Sequence, residues 1–583
     1  MNIKEWQRPV LVVAMAVVAV LLLVEWNKFQ TARAPELDLE TITSSAPTEE
    51  ISSTVAETSE ATDNPFPIIE DSPSTDQPLD NITQESTDPA NISKLVEIYT
   101  DSLQVTIDTN GGEIVKVALP KHSRTLEQTD EPYILLNRTN SSTYKAKVGL
   151  MSYRYGPLDT LKPKPFVFSV DQSSYRLGSN EDELIVDFQS QISDSVKLTK
   201  RFTFTRNDYF IKIDLLVHNQ GNSNLSSKVY SQIIRDSKEP AQTGPGFGIQ
   251  SFFGAATTSD DELYKKYTFS DIRESDFNKD FGSSFTHQGG WIAMVQHYFV
   301  SAIIPDPNQD NEFFIRPLPD NDLTVMGYVG PRVDIPPGST TTFSTGLYSG
   351  PKDIHRMEEL APNLDRTLDF SWLFFIAQPM YLFLLWIHSF VGNWGLAIIL
   401  LVVCVKAILY YPSAAGYRSM AKMKVFAPKM QELKERFGDN RQKMSEEMMK
   451  LYKKEKVNPL GGCLPMLMQI PVFISLYWVI LEAVDLRHAP FIFWIQDLSA
   501  QDPFFILPIL YTITMFLQFK LNPSMGDPTQ QKIMQMMPFM FGIMFAFFQS
   551  GLVLYWVVNA MLGILQQWYI TKNIQKAQNA KKA

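Results

Sequence analysis

The chain of 583 residues has little cysteine, little histidine and, over one long stretch, no basic side chain at all. Two cysteines, Cys404 and Cys463, are too few for a disulfide-stapled scaffold. The seven histidines are scattered, and no Cys/His group has metal-ligand spacing. No G-x-S-x-G elbow, H-E-x-x-H pair or P-loop occurs, which removes the commonest hydrolase, metalloprotease and nucleotide-driven classes. Residues 34–93 hold 14 Asp or Glu and no Lys or Arg, more than the whole net charge of −11. That stretch is rich in Ser, Thr and Pro and cannot bury enough apolar surface to offset the entropy of ordering it. It reads as an extended acidic tether.

What precedes the tether is a short basic start and an apolar run from Pro9 to Val24. This is either a cleaved signal peptide, with Ala32-Arg33-Ala34 imitating a cleavage site, or an uncleaved signal anchor over residues 1–26. Ten residues, Glu25, Lys28 and Arg33 among them, follow Val24 up to the end of that site at Ala34, which favours the anchor. The linker then covers 27–93. From about Lys94 the pattern changes to period two. Leu103, Val105 and Ile107 alternate with polar residues, Asn110-Gly111-Gly112 makes a turn, and Leu198–Val217 reads as two strands about Asn207-Asp208. Similar runs recur at Trp291–Ile304 and Leu323–Val329. Residues 94–368 are therefore expected to form a large antiparallel β-sandwich. Its histidines (His122, His218, His287, His297) carry no catalytic pattern.

Beyond Asp369 the chain becomes membranous. The expected spans are Trp394–Tyr411, Leu460–Leu481, Phe504–Phe519, Ile533–Phe548 and Leu552–Ile570, six with the N-terminal anchor. Residues 379–391 read as an amphipathic helix at the outer interface, with Trp386 as an anchor. Loop 413–459 holds 12 Lys/Arg against six acidic residues, and apolar residues at helical spacing on both sides of Gly438-Asp439-Asn440 predict a helical hairpin over 413–457. The basic loops place both termini in the cytosol and the β domain outside. Residues 393–583 carry 20 basic and 11 acidic side chains, or +9, so residues 1–392 carry −20.

Lys406 is the one cation inside the second span. An ammonium there either snorkels to the headgroups or lines a wetted cavity open to the cytosol. Span Phe504–Phe519 is short: 16 residues at ~1.5 Å each reach about 24 Å against a hydrocarbon core of ~30 Å. Eight methionines, from Met466 to Met544, crowd three spans, as on surfaces that meet varied partners.

Four segments then become specific: Glu455-Lys-Val-Asn-Pro-Leu-Gly-Gly-Cys-Leu-Pro465, Trp386-Ile-His-Ser-Phe-Val-Gly-Asn-Trp-Gly395, Ser419-Met-Ala-Lys-Met423 and Ser550-Gly-Leu-Val-Leu-Tyr555. With the β domain behind a signal anchor, the chain resembles the YidC/Oxa/Alb membrane protein insertases, in particular the proteobacterial inner-membrane members. The resemblance implies a five-span core over 369–583 with a groove open to cytosol and lipid, lined by a single Arg. Here that position is Lys406, which keeps the charge and loses the bidentate guanidinium. It also implies substrate contacts on the third and fifth spans and an aromatic pair in the last: Met466, Ile470, Phe473, Pro538, Phe541, Phe545, Tyr555 and Trp556. Gln469, Ser475, Thr512, Thr514 and Asn559 would supply polar groups to the groove. The sandwich resembles sugar-binding supersandwiches, which implies fold and no activity. The expected function is non-enzymatic insertion and folding of nascent membrane proteins, without a cofactor. The implied partners are membrane lipids, the Sec translocon, the ribosome and signal recognition particle components, with no direct nucleic-acid recognition. A solute transporter and a membrane-anchored periplasmic sugar-binding protein are the alternatives.

Overall fold

The computed structural model describes residues 94–582, apart from 140, 154–165, 241–250, 260–261, 275–284, 319–321, 438–439, 455–463 and 522–527. The expected anchor and tether, and most of the Glu455–Pro465 motif, lie outside the described residues. The chain separates into two compact units, one of which holds Lys429–Glu455 and the other Asn81–Pro428 with Lys456–Ala583.

In the larger unit, strands from Leu95 to Pro351 build one sheet of 11 strands and one of eight. Pairing is antiparallel except where Leu95–Tyr99 runs parallel to Ser174–Arg176. The expected turns are present. Gly111 (φ 82°) and Gly112 (φ 59°) link strands Gln104–Asp108 and Glu113–Ser123. Asn207 (φ 58°) turns Val196–Thr205 back along Phe210–Asn219. Left-handed backbone is the ordinary territory of Gly and Asn. The two sheets face each other across Val105, Ile107, Val117 and Leu136 on one side and Phe188, Phe202, Ile213 and Leu215 on the other.

The strand Phe299–Pro305 is apolar at nearly every position because both of its faces are covered. Phe299 and Ile303 point into the sandwich core. Val300, Ala302 and Ile304 point the other way, into a second cluster shared with the helices. Trp291, Ala293, Val295 and Tyr348 join them against Tyr381, Leu476, Val479 and Leu486. Sandwich and helical part are thus joined by one continuous apolar core.

Helix α1 (Ile354–Leu360) is capped by Asp353, whose carboxylate accepts from His355 N and Arg356 N. It is followed by α2 (Phe374–Val391), α3 (Trp394–Ile408), α4 (Tyr410–Phe437), α5 (Arg441–Lys454), α6 (Leu464–Glu482), α7 (Ile506–Leu521), α8 (Pro528–Phe545) and α9 (Ser550–Lys582). Several bounds depart from the expected ones. Helix α2 begins five residues before the expected 379 and carries Pro379 inside it, and Ser371–Val391 is long and apolar enough to cross a membrane. The second expected span stops at Ile408 and the chain bends by 70° into α4, so Tyr410 and Tyr411 belong to the next helix. Helix α8 starts at Pro528 and ends at Phe545, three residues short of the expected Phe548. Helix α7 has 16 residues, as many as the expected Phe504–Phe519, but starts and ends two residues later.

By length and composition, Ser371–Val391 and Ser550–Ile574 suffice to cross a membrane among the described residues, and Trp394–Ile408 with Tyr410–Ala421 makes a third if the bent pair is one span. The apolar parts of α6, α7 and α8 are shorter than that criterion. In the smaller unit, Asn440 closes the turn into α5. Its carbonyl accepts from Met444 N at 2.9 Å and its side chain accepts from Lys443 N at 3.0 Å.

Candidate functional site

The segment between α2 and α3 shows how the sequence places these helices. Gly392 sits at φ 62° as the C-cap of α2, and its N–H donates to His388 O. Asn393 is the N-cap of α3, accepting from Leu396 N at 3.0 Å. Its amide also donates to Phe491 O at 3.1 Å. The Phe491 ring packs so closely over Gly395 that a β-carbon there would collide with it. These contacts account physically for Gly392, Asn393 and Gly395 of the Trp386–Gly395 motif. Ser550 and Gly551 are held by the same loop, through Ala500 O at 2.7 Å and Leu498 O at 2.9 Å.

From that start α3 packs against α2 and α9 and delivers Lys406 in its last turn. A methyl group placed on Gly563 of α9 would stand 3.7 Å from Lys406 Nζ, 3.7 Å from Gln518 Nε2 and 3.4 Å from Tyr417 Oη. Ammonium, amide and phenol from α3, α7 and α4 therefore converge where α9 has no side chain. Among the described residues, no carboxylate stands within ion-pair distance of Lys406. One turn along α9 from Gly563, Asn559 donates to Gln469 Oε1 of α6 at 3.3 Å. Asn559, Gly563 and Gln567 recur every fourth residue and so share one face.

The other expected polar groups lie elsewhere. Thr512 donates to Pro508 O at 2.8 Å and its hydroxyl packs on Gly542 of α8. Thr514 is buried and donates to Tyr511 O at 2.8 Å. Ser475 is fully buried, and its hydroxyl has no partner among the described residues. These three hydroxyls sit in helix packing or on their own backbone, and the polar atoms gathered with the cation around Gly563 are those of Tyr417 and Gln518. The sequence reading missed Tyr417, Gln518 and Gly563.

The expected contact aromatics do come together. The Trp556 ring lies 4.6 Å from Phe473, 5.4 Å from Phe545 and 5.9 Å from Tyr555 and Tyr511. Phe541 stacks on Phe545 at 6.2 Å. Their exposure divides them: Phe545 and Tyr555 are 3% exposed, whereas Ile470 on α6 is 41% exposed. Pro538 is buried, and the Met466 side chain lies outside the described residues. More exposed apolar rows run along Ile509, Ile513 and Leu517 of α7 and Met536, Met540 and Ile543 of α8.

Two family models match the chain, one described as the 60Kd inner membrane protein over residues 386–578 and one as the YidC periplasmic domain over residues 95–383. A membrane protein insertase YidC of Cellvibrio japonicus is 44% identical over 573 residues, 98% of this chain and 99% of that one. Another from Saccharophagus degradans is 47% identical over 485 residues, 83% of this chain and 85% of that one. A crystal structure of an active YidC insertase with its first transmembrane domain resolved is 16% identical, covers 82% of this chain and 93% of that chain, and has a TM-score of 0.37. By sequence, then, the chain belongs to the YidC family of membrane protein insertases.

Proposed function

We propose that the chain inserts and folds nascent membrane proteins by way of the polar recess around Gly563. The observation that carries this is the uncompensated Lys406 ammonium beside Tyr417 and Gln518, among helices too apolar to hold a cation without purpose. A hydrophilic segment entering the recess exchanges part of its hydration for these three groups and for the Gln469–Asn559 amides. The client's apolar span meanwhile moves along α6, α7 and α8 into lipid. Partitioning of that span, with the membrane potential, drives the step without a nucleotide. Family membership leaves the transporter and sugar-binding alternatives without support.

In this reading the chain sits in the bacterial inner membrane with six spans, both termini in the cytosol and residues 94–368 in the periplasm. The anchor is 1–26, the linker 27–93 and the insertase core 369–583. Helix α2 lies at the outer interface over 379–391, and the basic hairpin 413–457 faces the cytosol, where it can meet the ribosome, signal recognition particle components or anionic lipid. The Sec translocon is the expected partner for larger clients. A stalled single-span nascent chain, presented to full-length protein carrying photocrosslinkers at Ile470 and Phe541, should crosslink at both. Absence of crosslinks at both positions refutes the insertase reading.

A further inference from the structure

Between Leu481 and His488, where α6 ends, the hydrogen bonds that involve a side chain are made to the β domain or α2. Lys352, at the end of the last strand, donates to Glu482 at 2.7 Å, and both side chains are 0% exposed. The other oxygen of that carboxylate, Oε1, has no partner among the described residues. His297 Nε2 lies 2.8 Å from Leu481 O. Arg487 donates to Ser123 O and Arg124 O, both at 2.8 Å, with its guanidinium 5.4 Å from the Tyr133 ring centroid. Ser123 Oγ meets His488 Nδ1 at 3.2 Å, and Tyr381 of α2 donates to Asp485 at 2.7 Å.

We propose that Lys352 is a positioning residue for α6, setting through Glu482 where that helix stands in the insertion path. A solvent-exposed ion pair is plastic. A pair with no exposure and a single charged partner has one geometry, because any displacement leaves a buried charge alone. The His297 contact repeats the constraint on the neighbouring carbonyl, and Arg487 fixes the turn that follows. The β domain thereby acts on insertion from outside the recess, touching no client. The idea rests on the insertase reading, since it gives α6 a role in contacting clients.

The test uses the full-length chain in liposomes, with a stalled single-span client and photocrosslinkers at Ile470 on α6 and, as reference, at Ile513 on α7. Pulsed spin-label distances between Ile185 in the β domain and Phe493 after α6 are measured in parallel. With Lys352→Met, the Ile470-to-Ile513 crosslink ratio should fall at least threefold and the distance distribution should broaden. The charge-exchanged pair Lys352→Glu with Glu482→Lys should narrow it again. An unchanged ratio with an unchanged distance overturns the proposal, as does an equal fall at both positions. Absence of crosslinks in the unaltered chain counts against the insertase reading instead, and the spin-label distances then still decide whether Lys352 holds α6.

Discussion

Asn559 of α9 hands a side-chain hydrogen bond to Gln469 of α6 across 3.3 Å. Two polar residues expected to serve a client separately are thus bonded to each other in the resting chain. Their contributions should be coupled. Asn559→Leu and Gln469→Leu should each slow insertion of a client with a polar outer segment, and the double variant should be little worse than either. A coupling of about 1 kcal/mol, the usual worth of such a bond, is expected from a double-mutant cycle of insertion rates. Strict additivity would separate the two residues again.

Gly563 should behave as a measured gap. Contacts of 3.4–3.7 Å around its missing side chain are ordinary van der Waals distances, so Gly563→Ala should insert clients within about twofold of the unaltered chain. Gly563→Leu should displace Lys406, Tyr417 and Gln518 and lower the rate about tenfold, or roughly 1.4 kcal/mol. Lys406→Arg should support growth of a depletion strain better than Lys406→Ala, because charge is retained.

Client crosslinks should follow exposure. Photocrosslinkers at Ile470, Met540 and Ile543 should capture a stalled client, and those at Phe545 and Tyr555 should not, since these rings are 3% exposed. Capture at Tyr555 would mean that the aromatic cluster opens during insertion.

Acid should loosen the β domain through His122. Burial first, then Arg487, Lys121 and His488, pushes its imidazole from 6.5 down to about 4. Between those values the unfolded chain holds a proton that the folded chain refuses, so stability rises with pH across the window and falls on acidification. Above about 6.5, the ordinary imidazole value, the group contributes nothing. With partial solvent access discounting the effect, ~2 kcal/mol should be lost between neutral pH and pH 4. Thermal melts of His122→Gln should show a flatter pH dependence over that interval.

Lys200 should matter to the sandwich although it touches no client. Its ammonium is buried and donates to Gly111 O at 2.9 Å, Gly112 O at 3.1 Å and Val148 O at 2.6 Å. Lys200→Met removes the donor from all three carbonyls at once. A loss on the order of 3 kcal/mol is expected, visible as a lower Tm of the β signal. An unchanged Tm would mean that the carbonyls find other donors.

The strands and their turns were legible because alternation and a left-handed Gly or Asn are local signals, as at Gly111-Gly112 and Asn207. The strand Phe299–Pro305 was legible as a strand but not as doubly covered, since periodicity does not say what lies on the second face. Lys406 announced itself as a cation in an apolar run. Its companions did not. Tyr417 comes near it only because the chain bends by 70° after Ile408, just ahead of Pro412, inside what reads as one continuous apolar span, and Gln518 arrives from another helix. Thr512 and Thr514 looked available to a client because sequence does not reveal that a helical hydroxyl has already bonded its own backbone.

The shared apolar core also imposes an order of events on synthesis. Trp291, Val300 and Tyr348 belong to a cluster whose other half includes Leu476, Val479 and Leu552. Leu476 follows Tyr348 by 128 residues. At ~5–20 residues per second, that face of the sheet waits roughly 6–26 seconds for Leu476 on α6. During that interval the cover made so far comes from earlier residues such as Ile354, Met357 and Tyr381, and part of the apolar wall stays open to unwanted partners until the later helices arrive.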